Sequence, residues 1–129
     1  MKQAINTEKA PAPVGPYNQS IAAGGMLYIS GQVALAPGTG EMRQDSIEIE
    51  TRQVLENIGA ILDAAGLGFG HVVKCSVFVS DIENFSRINA VYATFFEGLL
   101  PPARELVEVS RLPKDANIEI SAIAVMQNQ

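Results

Sequence analysis

This chain of 129 residues has one cysteine, no long apolar run and no cluster of basic residues. Cys75 alone cannot form an internal disulfide, which makes a reducing cytosol the simplest compartment. The start of the chain, Met1 to Asn6, lacks the apolar core of a signal peptide, and no apolar run approaches the roughly 20 residues that span a membrane. We therefore expect a cytoplasmic protein that does not enter a membrane.

Basic residues and metal ligands are also scarce. Nine Lys and Arg stand against fourteen Asp and Glu, which gives a formal net charge of −5. Nucleic-acid binding depends on clustered Lys and Arg that neutralise phosphates, so no nucleic-acid partner is expected. The one histidine, His71, has no neighbouring ligand residues and cannot make a zinc site. Cys75 lies in an apolar run, and we expect a buried thiol rather than a nucleophile.

Apolar residues make up 47% of the chain, enough for one hydrophobic core, and we treat residues 1–129 as a single domain. Apolar positions at helical spacing predict one helix after Ser46 that ends near Gly66. They predict a second helix from Phe85 to Phe96, with its apolar stripe in the core. Strands, helix, strand, helix and strands in this order indicate an α+β sandwich, with two helices on one face of a mixed sheet. The predicted strands lie near 26–30, 72–80, 104–109 and 118–123.

Two helices cannot cover both faces of such a sheet. On the strand register read from the sequence, the uncovered face carries six apolar side chains, and soluble monomers rarely expose so large an apolar patch. We therefore expect this face to be buried against further copies of the chain, with Arg104 and Glu119 near the interface. The six residues are Met26, Tyr28, Phe78, Leu106, Ile123 and Val125.

Arg104 and Glu119 stand on strands that otherwise consist of core residues. Side chains alternate along a strand, so both residues project from the same side of the sheet if the purely apolar faces point into the core together. A cation and a carboxylate placed there could hold an anion and activate a water molecule. The alternative is a structural role, in which Arg104 forms a salt bridge to Glu108 or Glu119.

Seven short motifs follow one another along the chain: APVGPY at 12–17, LYISGQ at 27–32, TRQVLENI at 51–58, VVKCSVFV at 72–79, NAVY at 89–92, PAR at 102–104 and LPKD at 112–115. In this order and spacing they resemble the RidA (YjgF) family over nearly the whole chain. The resemblance implies a chorismate-mutase-like fold of the bacillus type and a homotrimer with three clefts between subunits. It also implies deamination of reactive 2-enamines and 2-imines, such as 2-aminoacrylate and 2-aminocrotonate. Pyridoxal-phosphate-dependent dehydratases release these compounds, and water converts them to 2-keto acids and ammonia without a metal or an organic cofactor.

The resemblance further implies roles for individual residues. The family's binding arginine aligns with Arg104, whose guanidinium offers a bidentate, permanently charged fork to a substrate carboxylate. The family's glutamate aligns with Glu119, which would deliver water to the imine carbon and a proton to the leaving nitrogen. The backbone N–H of Gly31 would help to hold the carboxylate. The residues that align with the lining of the cleft are Tyr17, Ser30 and Asn89.

Plainer explanations exist for the three lining residues. Tyr17 could be a loop aromatic that packs on prolines, and Ser30 and Asn89 could make turn or capping hydrogen bonds. We keep both interpretations open at this stage.

The chain departs from the family pattern after its arginine, where Ser and then a small residue, often Cys, are common. Glu105 should point away from Arg104, whereas Leu106 should share the arginine's face and narrow or reshape the substrate pocket. Ser121 stands where a second acid is frequent. These departures bear on substrate preference and leave the pair of Arg104 and Glu119 intact.

Two alternative functions stay open. A non-catalytic sensor with the same trimer would bind 2-keto acids through Arg104 without accelerating imine hydrolysis. An RNA-cleaving translation inhibitor, an activity attributed to some relatives, is disfavoured by the acidic balance of the chain and by its lack of a histidine-based acid–base pair.

Overall fold

The computed structural model describes residues 1–126, which form a six-stranded mixed sheet and two α-helices. Residues 127–129 of the expected domain lie outside the described residues. The strand order is β1-β2-β3-β6-β4-β5, with β4 and β5 parallel and the other neighbours antiparallel. The elements are β1 (Gln3–Ile5), β2 (Ser20–Ala23), β3 (Met26–Gln32), α1 (Ile47–Ala64), β4 (Val72–Val79), α2 (Phe85–Phe95), β5 (Ala103–Glu108) and β6 (Ile118–Val125).

The two helices and the four longer strands lie where the sequence predicts them. Ser46 caps α1, and its hydroxyl accepts a hydrogen bond from the Ile49 N–H at 3.1 Å. Gly66 follows α1 with φ +75, a left-handed conformation that favours glycine, and the Leu67 N–H donates to the Leu62 carbonyl at 2.9 Å. The short strands β1 and β2 were not predicted, because three and four residues are too few to show a period.

The hydrophobic core lies between the helices and one face of the sheet. Alternate residues of the central strands point into this core, among them Leu27 of β3, Val77 of β4 and Ile120 of β6, none of them measurably exposed. Both helices bury an apolar stripe against the same face, which confirms the α+β sandwich with two helices on one side. Within residues 1–126, neither helix combines the length and apolarity needed to cross a bilayer. The apolar stripe that α1 buries in the core consists of Val54, Leu55, Ile58, Ile61 and Leu62.

The opposite face of the sheet, which we call the open face, is largely apolar. Tyr28 is 47% exposed and Val107 42% exposed, although both side chains are large and apolar. Glu105 also lies on this face, where it pairs with Lys74 at 3.0 Å, so the prediction that it points away from Arg104 is confirmed. The predicted apolar face is confirmed for Met26, Tyr28, Phe78, Ile123 and Val125.

Arg104 and Leu106 lie on the core side, so their predicted placement on the open face is wrong. The parallel register of β4 and β5 sets Arg104 beside Cys75 and Leu106 beside Val77, and both of these β4 residues are buried core residues. The predicted placement requires the purely apolar side of β5 to point into the core. β5 is an edge strand, however, and on its core side α2 provides polar and aromatic partners for a guanidinium, while Val107 faces outward.

Candidate functional site

Arg104 is held on the core side of the sheet by residues of α2. Its Nη1 donates a hydrogen bond to the Asn89 Oδ1 at 2.8 Å, and its Cζ lies 4.7 Å from the centroid of the Tyr92 ring. The Phe85 ring is farther away, with its centroid 5.9 Å from Cζ. A cation–π contact such as the one with Tyr92 contributes roughly 0.5–2 kcal/mol. Together with the hydrogen bond, it fixes the orientation of the half-buried guanidinium.

The guanidinium of Arg104 has no carboxylate partner among residues 1–126. Glu108, one partner considered from the sequence, accepts the Ile82 N–H at 2.9 Å instead, and Glu119 lies on the other side of the sheet. The structural salt bridge is therefore absent in the described part of the chain, and most of the guanidinium's N–H donors are available to an external anion. The ion pairs of this part are Lys74–Glu105, Arg87–Glu48 and Arg111–Asp115.

Cys75 and Tyr92 lie next to Arg104 on the core side. Cys75 is 2% exposed, and burial raises the pKa of its thiol. Burial, with a smaller contribution from Cys75, also raises the pKa of the Tyr92 hydroxyl, which has no hydrogen-bond partner of normal geometry in the described part of the chain. A protonated thiol is a poor nucleophile, so the prediction of a buried core thiol is confirmed.

Glu119 lies on the open side of β6, in the wall of a pocket of about 170 Å³. The proline-rich loop at 11–14 and the turn at Pro113 and Lys114 form other walls of this pocket, together with Tyr17. Glu119 is half-buried, and this burial raises the pKa of its carboxyl group. A carboxyl group that keeps its proton closer to neutral pH suits proton transfer.

Gly31 and Glu119 are in direct contact within this pocket. A Cβ atom at position 31 would lie 2.8 Å from the Glu119 Cδ and collide with the carboxylate itself. Real Cβ atoms do not approach a neighbour so closely. Glycine at position 31 is therefore what allows the Glu119 side chain to lie across β3.

Tyr17 and Ser30, both predicted to line the cleft, make different contacts. Tyr17 lines the pocket of Glu119, and its hydroxyl accepts the Val14 N–H at 3.3 Å, so it also stabilises the proline-rich loop. Ser30 donates from its hydroxyl to the Asn18 carbonyl at 2.6 Å, and its N–H donates to the Gln19 carbonyl at 2.9 Å. Ser30 thus makes local hydrogen bonds, and its place in the lining of a cleft stays a prediction.

The predicted site residues therefore form two groups on opposite sides of the sheet. Arg104, Asn89 and Leu106 belong to the core side near its edge, and Glu119 and Gly31 belong to the open side. β4 lies between β5 and β6, which adds about 10 Å of separation at the usual strand spacing. One copy of the chain does not bring the two groups onto one small molecule.

Three residues near the site were not predicted as functional. Tyr92 and Phe85 were assigned to core packing, but Tyr92 stacks on Arg104, and Phe85 is 43% exposed beside it. The spacing of Asn89 and Tyr92, three apart on one helix face, is a signal that could have indicated a shared partner. Lys114 lines the Glu119 pocket and has a left-handed backbone, with φ +60, a conformation that no spacing pattern reveals.

His71 has a structural role. Its Nδ1 accepts the Gly68 N–H at 3.1 Å and closes the short turn before β4. Among residues 1–126, no group of three or more His, Cys, Asp or Glu side chains is arranged to hold a metal ion. The groups available for chemistry are a guanidinium, a carboxyl group and nearby backbone N–H groups.

Comparison with known proteins finds relatives that match almost the whole chain. The family model described as Endoribonuclease L-PSP matches residues 7–126. A RutC family protein from Pyrococcus horikoshii is 54% identical over 124 residues, which cover 96% of this chain and 98% of the relative. A 2-iminobutanoate/2-iminopropanoate deaminase from Escherichia coli is 49% identical over 127 residues, which cover 97% of this chain and 98% of the relative.

Solved structures show the same fold at similar sequence identity. A protein of the conserved Rid family from Yersinia pestis is 46% identical with a TM-score of 0.95, and the match covers 97% of this chain and 99% of that one. Escherichia coli TdcF with bound serine is 43% identical with a TM-score of 0.92, and the match covers 95% of this chain and 98% of that one.

Proposed function

The chain belongs to the RidA (YjgF) family, and from that premise we propose that it hydrolyses reactive 2-imino and 2-enamino acids to 2-keto acids and ammonia. The observation that carries this proposal is the guanidinium of Arg104, which is fixed by Asn89 and Tyr92 and has no carboxylate partner among residues 1–126. Relatives about 49% identical are named 2-iminobutanoate/2-iminopropanoate deaminases, which supports the same activity here.

Arg104 binds the substrate carboxylate in this proposal. A 2-imino acid is a small anion, and the planar guanidinium can offer two parallel N–H donors to its carboxylate. The backbone N–H of Gly31 adds a neutral donor from the other group of residues. The structure of TdcF with bound serine, a small carboxylate compound, supports a ligand of this class in the family.

Glu119 carries the proton transfers. Water adds to C2 of the imine, and the proton that this water loses reaches the nitrogen through the Glu119 carboxyl group. This first transfer gives a carbinolamine with a hydroxyl and an amino group on C2. The proton of that hydroxyl then passes through Glu119 to the nitrogen as the C–N bond breaks, so that ammonia leaves and the 2-keto acid remains. The raised pKa of Glu119 supports this role, because the group must both give and accept a proton near neutral pH.

A second copy of the chain completes the site in this proposal. Arg104 and Glu119 lie on opposite sides of the sheet, so the Arg104 group of one copy must face the Glu119 group of another. The apolar open face supports the homotrimer of the resemblance, with a cleft at each subunit interface, because contact between copies would remove this face from water. Leu106, Tyr17 and Ser30 would then border the clefts.

The test is ammonia release from enzymatically generated 2-aminoacrylate and 2-aminocrotonate, together with the mass in solution by light scattering. We expect a mass of three chains and acceleration by the wild type, with kcat/KM reduced about 100-fold or more in Arg104→Ala and in Glu119→Gln. No acceleration with retained 2-keto-acid binding would instead indicate the sensor. A mass of one chain would contradict the shared cleft.

A further inference from the structure

Glu50 is a fully buried carboxylate that the proposed chemistry does not use. It lies in the first turn of α1, its side chain is 0% exposed, and none of the ion pairs among residues 1–126 includes it. Burying a carboxylate without compensation is costly, so its hydrogen bonds must account for its presence.

Those hydrogen bonds bind Glu50 to the segment that leads into β6. Its Oε2 accepts the Asn117 backbone N–H at 2.7 Å, and its Oε1 accepts the Asn117 Nδ2 at 2.9 Å. Oε2 also accepts the Gln44 Nε2 at 3.2 Å. All three partners are N–H donors, so the position demands acceptors only, which a carboxylate provides and an amide does not.

Asn117 connects Glu50 to the end of β4. Ser80 donates its N–H to the Asn117 carbonyl and its hydroxyl to the Asn117 Oδ1, each at 3.1 Å. Asn117 stands two residues before Glu119, and the residues on either side of Glu119, Ile118 and Ile120, are fully buried. The hydrogen bonds of Glu50 therefore hold the start of the strand that carries Glu119.

Gln44, which donates to Glu50, also holds the turn on the other side of the pocket. Lys114 and Asp115 both have a left-handed backbone, with φ +60 and +52, which persists only where the surroundings enforce it. Gln44 Nε2 donates to the Asp115 carbonyl at 3.2 Å, and the Ala116 N–H donates to the Pro113 carbonyl at 3.1 Å. Pro113 and Lys114 lie in the wall of the Glu119 pocket.

We infer that Glu50 is a positioning residue, which acts through Asn117 on Glu119 and through Gln44 on the Pro113–Lys114 wall, and holds both in their working arrangement. The inference rests on the proposed function for the role of Glu119. The effect of Glu50 on the environment of Glu119, however, can be measured without turnover.

The test compares Glu50→Gln with Glu56→Gln, which makes the same change at an exposed position of α1. The amide group of Glu50→Gln places its own N–H donors against at least one of the three N–H donors that Glu50 accepts. This repulsion should loosen the segment that leads into β6. We expect kcat to fall about tenfold with KM changed less than about threefold, because a small misplacement of a catalytic group mainly lowers kcat. In a Glu119→Gln background the same change should cause no further loss, since the two effects share one route.

The turnover-free readout is the titration of the Glu119 carboxyl by carbon NMR. We expect its raised pKa to move toward the ordinary value in Glu50→Gln as water enters the pocket, and to stay in place in Glu56→Gln. A folded Glu50→Gln protein with unchanged kcat and an unchanged Glu119 titration would overturn the inference. A shifted titration in a protein that accelerates no imine hydrolysis would keep the inference and reject the deaminase.

A second variant tests the same role if Glu50→Gln does not fold. Gln44→Ala removes one of the three donors and the bond to Asp115, and leaves both Asn117 bonds in place. We expect the same direction of change in the Glu119 titration with a smaller loss of kcat, about two- to threefold. No change in either quantity would count against the positioning role.

Discussion

The guanidinium of Arg104 stacks on the ring of Tyr92, with its Cζ 4.7 Å from the ring centroid, on the side of the sheet that the helices cover. The ring gives the cation a favourable surface without neutralising it, whereas a carboxylate at the same place would occupy its donors. The contact therefore keeps a permanent charge half-buried, oriented and available to an anion.

Two replacements of Tyr92 should distinguish the contribution of its ring from that of its hydroxyl. Tyr92→Phe keeps the stack and removes a buried hydroxyl without a hydrogen-bond partner, so 2-keto-acid binding should stay within about twofold of the wild type. Tyr92→Leu loses the cation–π contact, worth roughly 0.5–2 kcal/mol, and should weaken binding about 2- to 30-fold. Titration calorimetry with 2-oxobutanoate measures both, and equal binding by the two variants would contradict a role for the stack.

Gly31→Ala should disable Glu119 without removing it. The added methyl group collides with the Glu119 carboxylate and pushes it out of the pocket, whereas the backbone N–H of residue 31 is retained. We expect kcat for imine hydrolysis to fall about 100-fold, the scale of a misplaced catalytic group. The control is Gly68→Ala, which meets no atom within 4 Å and has an extended backbone with φ −139. A Gly31→Ala protein with normal kcat would show that Glu119 is not required where the structure places it.

The raised pKa of Glu119 predicts how stability depends on pH. Because burial raises the folded-state pKa above the ordinary value of 4.5, this group favours folding below that value, and the benefit is lost as pH rises through the folded pKa. Glu119→Gln should therefore match the wild type in urea unfolding at pH 3.5 and exceed it at pH 7. Glu56→Gln, a change at an exposed position, should show the same difference from the wild type at both values. A Glu119→Gln protein that is less stable at pH 7 would contradict the desolvation account.

Thr51 tests the cost of a buried polar group without a partner. Its Oγ1 is buried and has no hydrogen-bond partner among residues 1–126, so Thr51→Val removes that atom at nearly constant volume. We expect the free energy of unfolding to rise by up to about 1 kcal/mol. The comparison change Thr94→Val, at an exposed position of α2, breaks a hydrogen bond from Oγ1 to the Val91 carbonyl at 2.6 Å and should not stabilise the protein. Urea unfolding compares them, and a loss of stability in Thr51→Val would indicate a partner for its hydroxyl in the assembled protein.

Some features of the fold and of the candidate site can be predicted from the sequence, and others cannot. Spacing and capping residues located α1, and alternation along β3 and β6 identified the open face, because both depend on neighbours close in the chain. The side on which Arg104 lies depends on the register between β4 and β5, which the pattern of β5 alone does not contain. The bonds between Glu50 and Asn117 join residues 67 positions apart, and they too leave no periodic signal.

Mixing two inactive variants should restore activity if the site is shared between copies. An Arg104→Ala chain keeps the Glu119 group, and a Glu119→Gln chain keeps the Arg104 group. A cleft is therefore intact only where its Arg104 side comes from a Glu119→Gln chain and its Glu119 side from an Arg104→Ala chain. For random co-assembly of equal amounts into a cyclic trimer, about a quarter of the clefts are intact. We expect about a quarter of the wild-type rate of ammonia release after joint refolding, and none after simple mixing if the subunits do not exchange. A mixture of Arg104→Ala with Arg104→Ala/Glu119→Gln is the control, because no cleft in it has an arginine. Failure of the first mixture to recover, with trimers formed, would place both groups of one site in the same copy and contradict the separation by the sheet.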